Sequence, residues 1–246
     1  DSLPEIGLSV EDVAYAWTFT TARITGDLVD IHRGLVDGEG PWPFLADDCP
    51  AEVSEATLMH EIDGLDDDYI LPVTTFTTLA GTLDLLGSQG DHIILPTYEE
   101  FADSLVGGAF EVPYFLADRD DGGYDDSEEW WQLDPVAGTA HFKSQRLAFT
   151  CVLPLEDGEI KQPFDVAIYG HGYASSRFEM LGFAFAFAHL GMALCSADAP
   201  GHGPTLSPDD LEEYLPVIEG FGLMPFLEHL EDSRYRDLDN DGVPDS

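Results

Sequence analysis

The run that decides the fold lies at residues 163–203: PFDVAIYG (163–170), HGYASSRFE (171–179), MLGFAFAFAHLG (180–191), MALCSAD (192–198) and APGHG (199–203). PFDVAIYG is a compact apolar run with β-branched residues, bounded by Pro163 and Gly170, as a buried strand of a parallel sheet requires. MALCSAD has the same texture and reads as a second buried strand. Between them Phe183, Phe185 and Phe187 alternate as a strand would. Length, the alanines and a stop at Gly191 favour instead a helix buried nearly all round. Ser175 and Ser176 stand where a hydroxyl caps a helix beginning near Arg177. Strand, helix, strand in this span is a βαβ unit, with a right-handed crossover and helices on both sheet faces. Residues 208–217 and 223–231 read as further helices.

Upstream the texture differs. VAYAWTFTT (13–21) is a β-rich run with partial alternation, like the last strand of an immunoglobulin-like domain at 1–22. From Thr25 the spacing of Leu28, Ile31, His32 and Leu35 predicts a short amphipathic helix ending near Gly38. After the loop GPWPFLADDCP, strand-like runs follow: YILPVTTFTTL, DHIILP, AFEVPYFLA and RLAFTCVLP, separated by Gly, Asp and Pro turns. These predict a β-rich domain or lid over 23–160, before a core at 161–246. The segment DRDDGGYDDSEEWW (118–131) reads as a solvated acidic excursion, with Asp118, Asp120 and Asp121 a weak cation pattern.

Composition narrows the partners. The 246 residues carry 9 Lys+Arg against 49 Asp+Glu, a formal charge of −40. Such a surface repels phosphate backbones, so nucleic acid and anionic lipid are excluded as partners. It suits high salt or divalent cations, which screen the self-repulsion, and equally an acidic secreted protein. No apolar stretch is long enough for a transmembrane segment. No basic-then-apolar leader opens the chain at Asp1, as in a processed mature form or a fragment. Cys49, Cys151 and Cys195 allow at most one internal bridge, and no spacing suggests zinc. Cys151 and Cys195 lie in apolar runs and read as small buried hydrophobes; Cys49 in DDCP has no assigned place.

Tyr169-Gly170-His171-Gly172-Tyr173, followed by Asp198-Ala199-Pro200-Gly201-His202-Gly203, resembles the N-terminal half of the α/β-hydrolase core. The resemblance implies that the strand ending in HG supplies backbone N–H groups, from Gly172 and Tyr173 beside His171, to an oxyanion hole. The second strand then ends in a D-x-x-G-x-G type turn whose His202 and Asp198 are structural or line the pocket. Glycines beside the histidine let backbone donors approach an acyl oxygen where charge develops. The nucleophile of that fold sits in G-x-S-x-G, and none occurs in the chain. Ser175 and Ser176 lack the framing glycines of such an elbow.

The end of the chain carries a second pattern. Asp237, Asp239, Asp241 and Asp245, with Gly242 and the Val243 carbonyl, fall at positions 1, 3, 5, 9, 6 and 7 of a Ca²⁺ loop. Alternate carboxylates there converge on one hard cation, and the loop resembles EF-hand-like and thrombospondin type 3 loops of secreted proteins. Position 12 falls past Ser246, which suggests a longer natural polypeptide. The order AWTFTT, GAFEVP (108–113), HG and DLDNDG is also similar to large secreted bacterial lipase- or esterase-like proteins.

The sequence therefore predicts an α/β protein: a β-rich N-terminal region, then the first part of an α/β-hydrolase parallel sheet with flanking helices. The resemblance implies the N-terminal portion of a secreted or cell-surface serine carboxylic-ester hydrolase, with Ca²⁺ as cofactor and an ester or lipid-like substrate. Its nucleophile would come from the remainder of its own polypeptide or from a second chain completing the core. The competing expectation is a non-catalytic, calcium-stabilised surface or adhesion module on a hydrolase-like scaffold.

Overall fold

In a computed structural model the described residues are 25–48, 57–58, 70–87, 93–116, 133–204, 208–224, 227, 229 and 233–235. They form a mixed α/β arrangement around one six-stranded sheet. Two long strands make its frame, β3 (Ala102–Tyr114) and β6 (Lys143–Pro154), paired antiparallel along nearly their whole length. Two short strands, β1 (Thr57–Leu58) and β2 (Ile70–Pro72), pair with β3. Beyond β6 lie β8 (Met192–Ala197) and then β7 (Asp165–Tyr169), giving the order β1-β3-β6-β8-β7. β8 runs antiparallel to β6 and parallel to β7. A separate hairpin, β4 (Leu133–Asp134) with β5 (Thr139–Ala140), stands apart.

The expected strand–helix–strand unit is present, and β7 and β8 pair in parallel. Its crossover is a 3-10 helix, Arg177–Gly182, followed by a short α-helix, Ala184–His189. Ser176 caps the 3-10 helix, its hydroxyl accepting the Phe178 N–H at 3.3 Å. One expectation changes: β7 is an edge strand and not a buried one. Among the described residues β7 has one neighbour, β8, and Val166 is 55% exposed and Ile168 79% because their side chains point away from the core face, which Ala167 and Tyr169 pack against.

Helix α1 (Gly26–Asp37) ends where the spacing places it, with Gly38 in the left-handed conformation at φ 63°. It presses Ile31 against Trp42 and Leu45 at the start of α2 (Leu45–Asp48), and Trp42 Nε1–H donates to the Thr139 carbonyl at 2.9 Å. Two runs that read as strands are largely helical. Of YILPVTTFTTL only Ile70–Pro72 is extended, and Val73–Thr82 forms α3. DHIILP leads into α4 (Leu95–Phe101). Packing overrides β-propensity here. Val73, Phe76 and Ala80 reach the main core on one helical face, while the hydroxyls of Thr78 and Thr82 donate to carbonyls four residues back.

The main core packs α3, α4 and the crossover helix onto one sheet face through Phe76, Tyr98, Leu105, Val152, Ala184 and Leu194. Since β3 and β6 carry that core together with β8, the sheet runs across the boundary expected at residue 160. Cys151 and Cys195 are direct partners on neighbouring antiparallel strands and form a disulfide. The apolar surroundings that made them read as small buried hydrophobes are the two strand interiors that bring them together. The immunoglobulin-like strand at 13–21, the acidic excursion at 118–131 and most of the helix expected at 223–231 lie outside the described residues.

Candidate functional site

Parallel pairing of Ile168 with Cys195 and of Tyr169 with Ser196 brings two chain corners, 170–173 and 198–203, side by side at the carboxyl ends of β7 and β8. The His171 side chain, 2% exposed, bridges them. Ala199 N–H donates to His171 Nε2 at 3.0 Å, so that nitrogen carries no proton. The proton is then on Nδ1, which donates to the Gly172 carbonyl at 2.9 Å. His171 is thus a neutral brace between the corners. Asp198 Oδ1 lies 3.9 Å from Nε2, too far for a hydrogen bond.

Asp198 anchors the second corner from inside, with its side chain 1% exposed. It accepts the Arg177 backbone N–H at 2.6 Å and pairs with the Arg177 guanidinium, which also donates to the His229 carbonyl. A guanidinium with no exposed surface needs such partners, because an uncompensated buried charge costs several kcal/mol. His229 lies beneath this pair, with Nε2 3.1 Å from the Thr150 hydroxyl. Gly107 leaves room for it: a Cβ there would sit 2.9 Å from the ring. Burial first, then the charges of Arg177 and Arg146, push the His229 imidazole down to about 3.

The residue expected to donate to an oxyanion is engaged. Gly172 N–H donates to Glu179 Oε2 at 2.7 Å. That bond is the largest cause holding the Glu179 carboxyl below its usual range, helped by the Tyr169 and Ser175 hydroxyls. Tyr173 stands out from the corner, 96% exposed, with its ring centroid 5.9 Å from that of His202 in an edge-to-face arrangement. Its N–H has no hydrogen-bond partner among the described residues. His202 Nδ1–H donates to the Pro200 carbonyl at 3.1 Å, and its ring lies 5.1 Å from His171.

A third segment closes the second corner. Gly201 N–H donates to the Arg234 carbonyl and Arg234 N–H to the His202 carbonyl, both at 3.0 Å. Gly203, at φ 150°, has Ser233 where a Cβ would be, 2.8 Å away, so only glycine fits.

His171, Gly172 and Tyr173 therefore share one corner, with Asp198 and His202 across from it. Ser175 donates to Glu179 and Ser176 caps, so neither hydroxyl is placed as a nucleophile. Glu179, Arg177 and Arg234 carry the geometry yet gave no signal in the sequence beyond charge beside a corner. The Ca²⁺ ligands Asp237, Asp239, Asp241, Val243 and Asp245 lie outside the described residues, among which no cluster of three or more His, Cys, Asp or Glu suits a metal. No protein-family model, no curated protein and no solved structure matches the chain.

The buried neutral His229 sets a pH dependence. Unfolded, a histidine takes up its proton near the ordinary 6.5, whereas the folded chain resists until about 3. Between those values the unfolded state binds more protons, so this group makes stability fall as pH falls from 6.5 toward 3. Urea unfolding of wild type and His229→Gln across that window should show the variant losing less stability on acidification. Parallel profiles would mean that His229 titrates normally in the fold.

Proposed function

We propose that this chain contributes the oxyanion loop of a serine carboxylic-ester hydrolase. The observation that carries the reading is the pair of glycine-framed corners, braced by His171, at the carboxyl ends of two parallel strands beside an open sheet edge. Topology supports it. β8 is flanked by β6 and β7, so among the described residues the open place beside this parallel pair is the outer edge of β7. A further parallel strand added there would reverse the direction of strand addition. Ligands of open α/β sheets bind at such a switch point, outside the carboxyl ends of the strands. The loop there is residues 170–173.

In this reading a serine from the remainder of the polypeptide, or from a second chain, enters on that edge. Its hydroxyl adds to the ester carbonyl, the alcohol leaves, and water releases the acid from the acyl-enzyme. Tyr173 N–H faces the developing oxyanion, with Gly172 N–H joining once Glu179 gives way. One oxyanion donor is worth about 3 kcal/mol of barrier. The Cys151–Cys195 disulfide favours an oxidising, secreted or cell-surface setting. No helix among the described residues is long and apolar enough to cross a membrane.

The hold of Glu179 on Gly172 favours the second reading, a non-catalytic calcium-stabilised surface module on the same scaffold. A fluorophosphonate probe applied to the native polypeptide separates the two. Labelling of one serine outside residues 1–246 is expected, and no labelling, or labelling of Ser175 or Ser176, overturns the esterase reading.

Both readings include Ca²⁺ held by Asp237, Asp239, Asp241, Asp245 and the Val243 carbonyl, on the spacing of hard-cation loops. A ligand bound only by the native state stabilises it, so a chelator should lower the melting temperature and added Ca²⁺ restore it. A melt unchanged by chelator removes the metal.

A further inference from the structure

The structure assigns a binding pocket for a small apolar carboxylic acid beside the braced corners. β6 pairs with β8 only from Phe149 to Val152 but stays paired with β3 down to Lys143. The β3–β6 ribbon therefore overshoots the carboxyl end of β8 and forms a wall beyond it. Between that wall and the second corner lies a cavity of about 260 Å³, lined by Val112, Tyr114, Phe115, Leu147, Pro200 and Arg234. Pro200 joins it to the site, since the next residue back, Ala199, holds His171.

Apart from Arg234 the lining is apolar and aromatic, which suits a phenyl ring or short alkyl chain. Arg234 supplies the polar end. Its ring-facing side lies over Tyr114, 5.2 Å from the centroid. Nε–H and an Nη2–H donate to Gln145 Oε1 at 3.0 and 2.6 Å, and an Nη1–H to the Asp198 carbonyl at 2.9 Å. A guanidinium has five N–H donors. Among the described residues these three bonds leave one N–H on each terminal nitrogen without a partner. Either donor can bond a carboxylate oxygen.

The ligand class is an apolar acid, which as an ester arm is a half-ester of a dicarboxylic or aromatic diacid. This deepens the esterase reading, on which it rests for the reaction but not for the binding.

Calorimetric titration of the full chain with 4-phenylbutyrate, and with the neutral 4-phenylbutyramide, tests it without turnover. The acid should bind at least about tenfold more tightly than the amide, the scale of a charge-assisted bond. Arg234→Met should erase that preference. Because Arg234 also braces the corner, Leu147→Asp is the second variant: it sets a carboxylate on the wall without touching those bonds. It should abolish acid binding at an unchanged melting temperature. Equal affinity for acid and amide overturns anion recognition, and the absence of saturable binding overturns the pocket. Fluorophosphonate labelling reads the esterase claim separately, so either can fail alone.

Discussion

Asp198 is the group on which the arrangement depends. One carboxylate, with its side chain 1% exposed at the end of β8, accepts the backbone and the guanidinium of Arg177. Its own carbonyl accepts Arg234, and the next N–H holds His171. Three segments meet there: the first glycine corner, the start of the crossover just after it, and the distant segment at 233–235. Removing one partner of so buried a pair leaves the other charged and dry, at a cost of about 3–5 kcal/mol. The corners keep their spacing because that alternative is worse.

The proposed chemistry builds on that hub. A braced imidazole with both nitrogens engaged cannot shuttle protons; it can hold a loop still. A still loop is what the proposed oxyanion role needs, because donors fixed beforehand cost nothing to reorganise. Glu179 qualifies this, since it occupies the Gly172 donor and leaves Tyr173 N–H as the ready one. The overshooting β3–β6 ribbon then supplies a wall, and Arg234 a positive end, to the pocket beside the second corner.

The strand–helix–strand unit was legible because everything that specifies it is local: two apolar runs, a capping serine and glycine stops within residues 163–203. Helix α1 was legible for the same reason, with Gly38 as its stop. What sequence reading missed is non-local. The threonine-rich α3 follows from packing on a core made by distant strands, and its hydroxyls bond within the helix instead of favouring a sheet. Cys151 and Cys195 become partners only once β6 lies beside β8. β7 reads as buried because its residues are apolar, yet only the face of Ala167 and Tyr169 meets the core, while Val166 and Ile168 lie on the uncovered face. At the site, HG and D-x-x-G-x-G marked the corners, but the groups that fix them, Glu179, Arg177 and Arg234, belong to no pattern.

The most direct test of the account is the protonation of His171, because the whole reading treats that ring as a brace. Nitrogen-15 NMR of the imidazoles in the full chain, with His171→Gln for assignment, reads which nitrogen carries the proton. The account requires a single neutral Nδ1–H form with Nε2 accepting from Ala199. An Nε2–H tautomer, or a ring averaging freely between forms, would contradict it. The corners would then not be locked, and the proposed oxyanion loop would lose its footing.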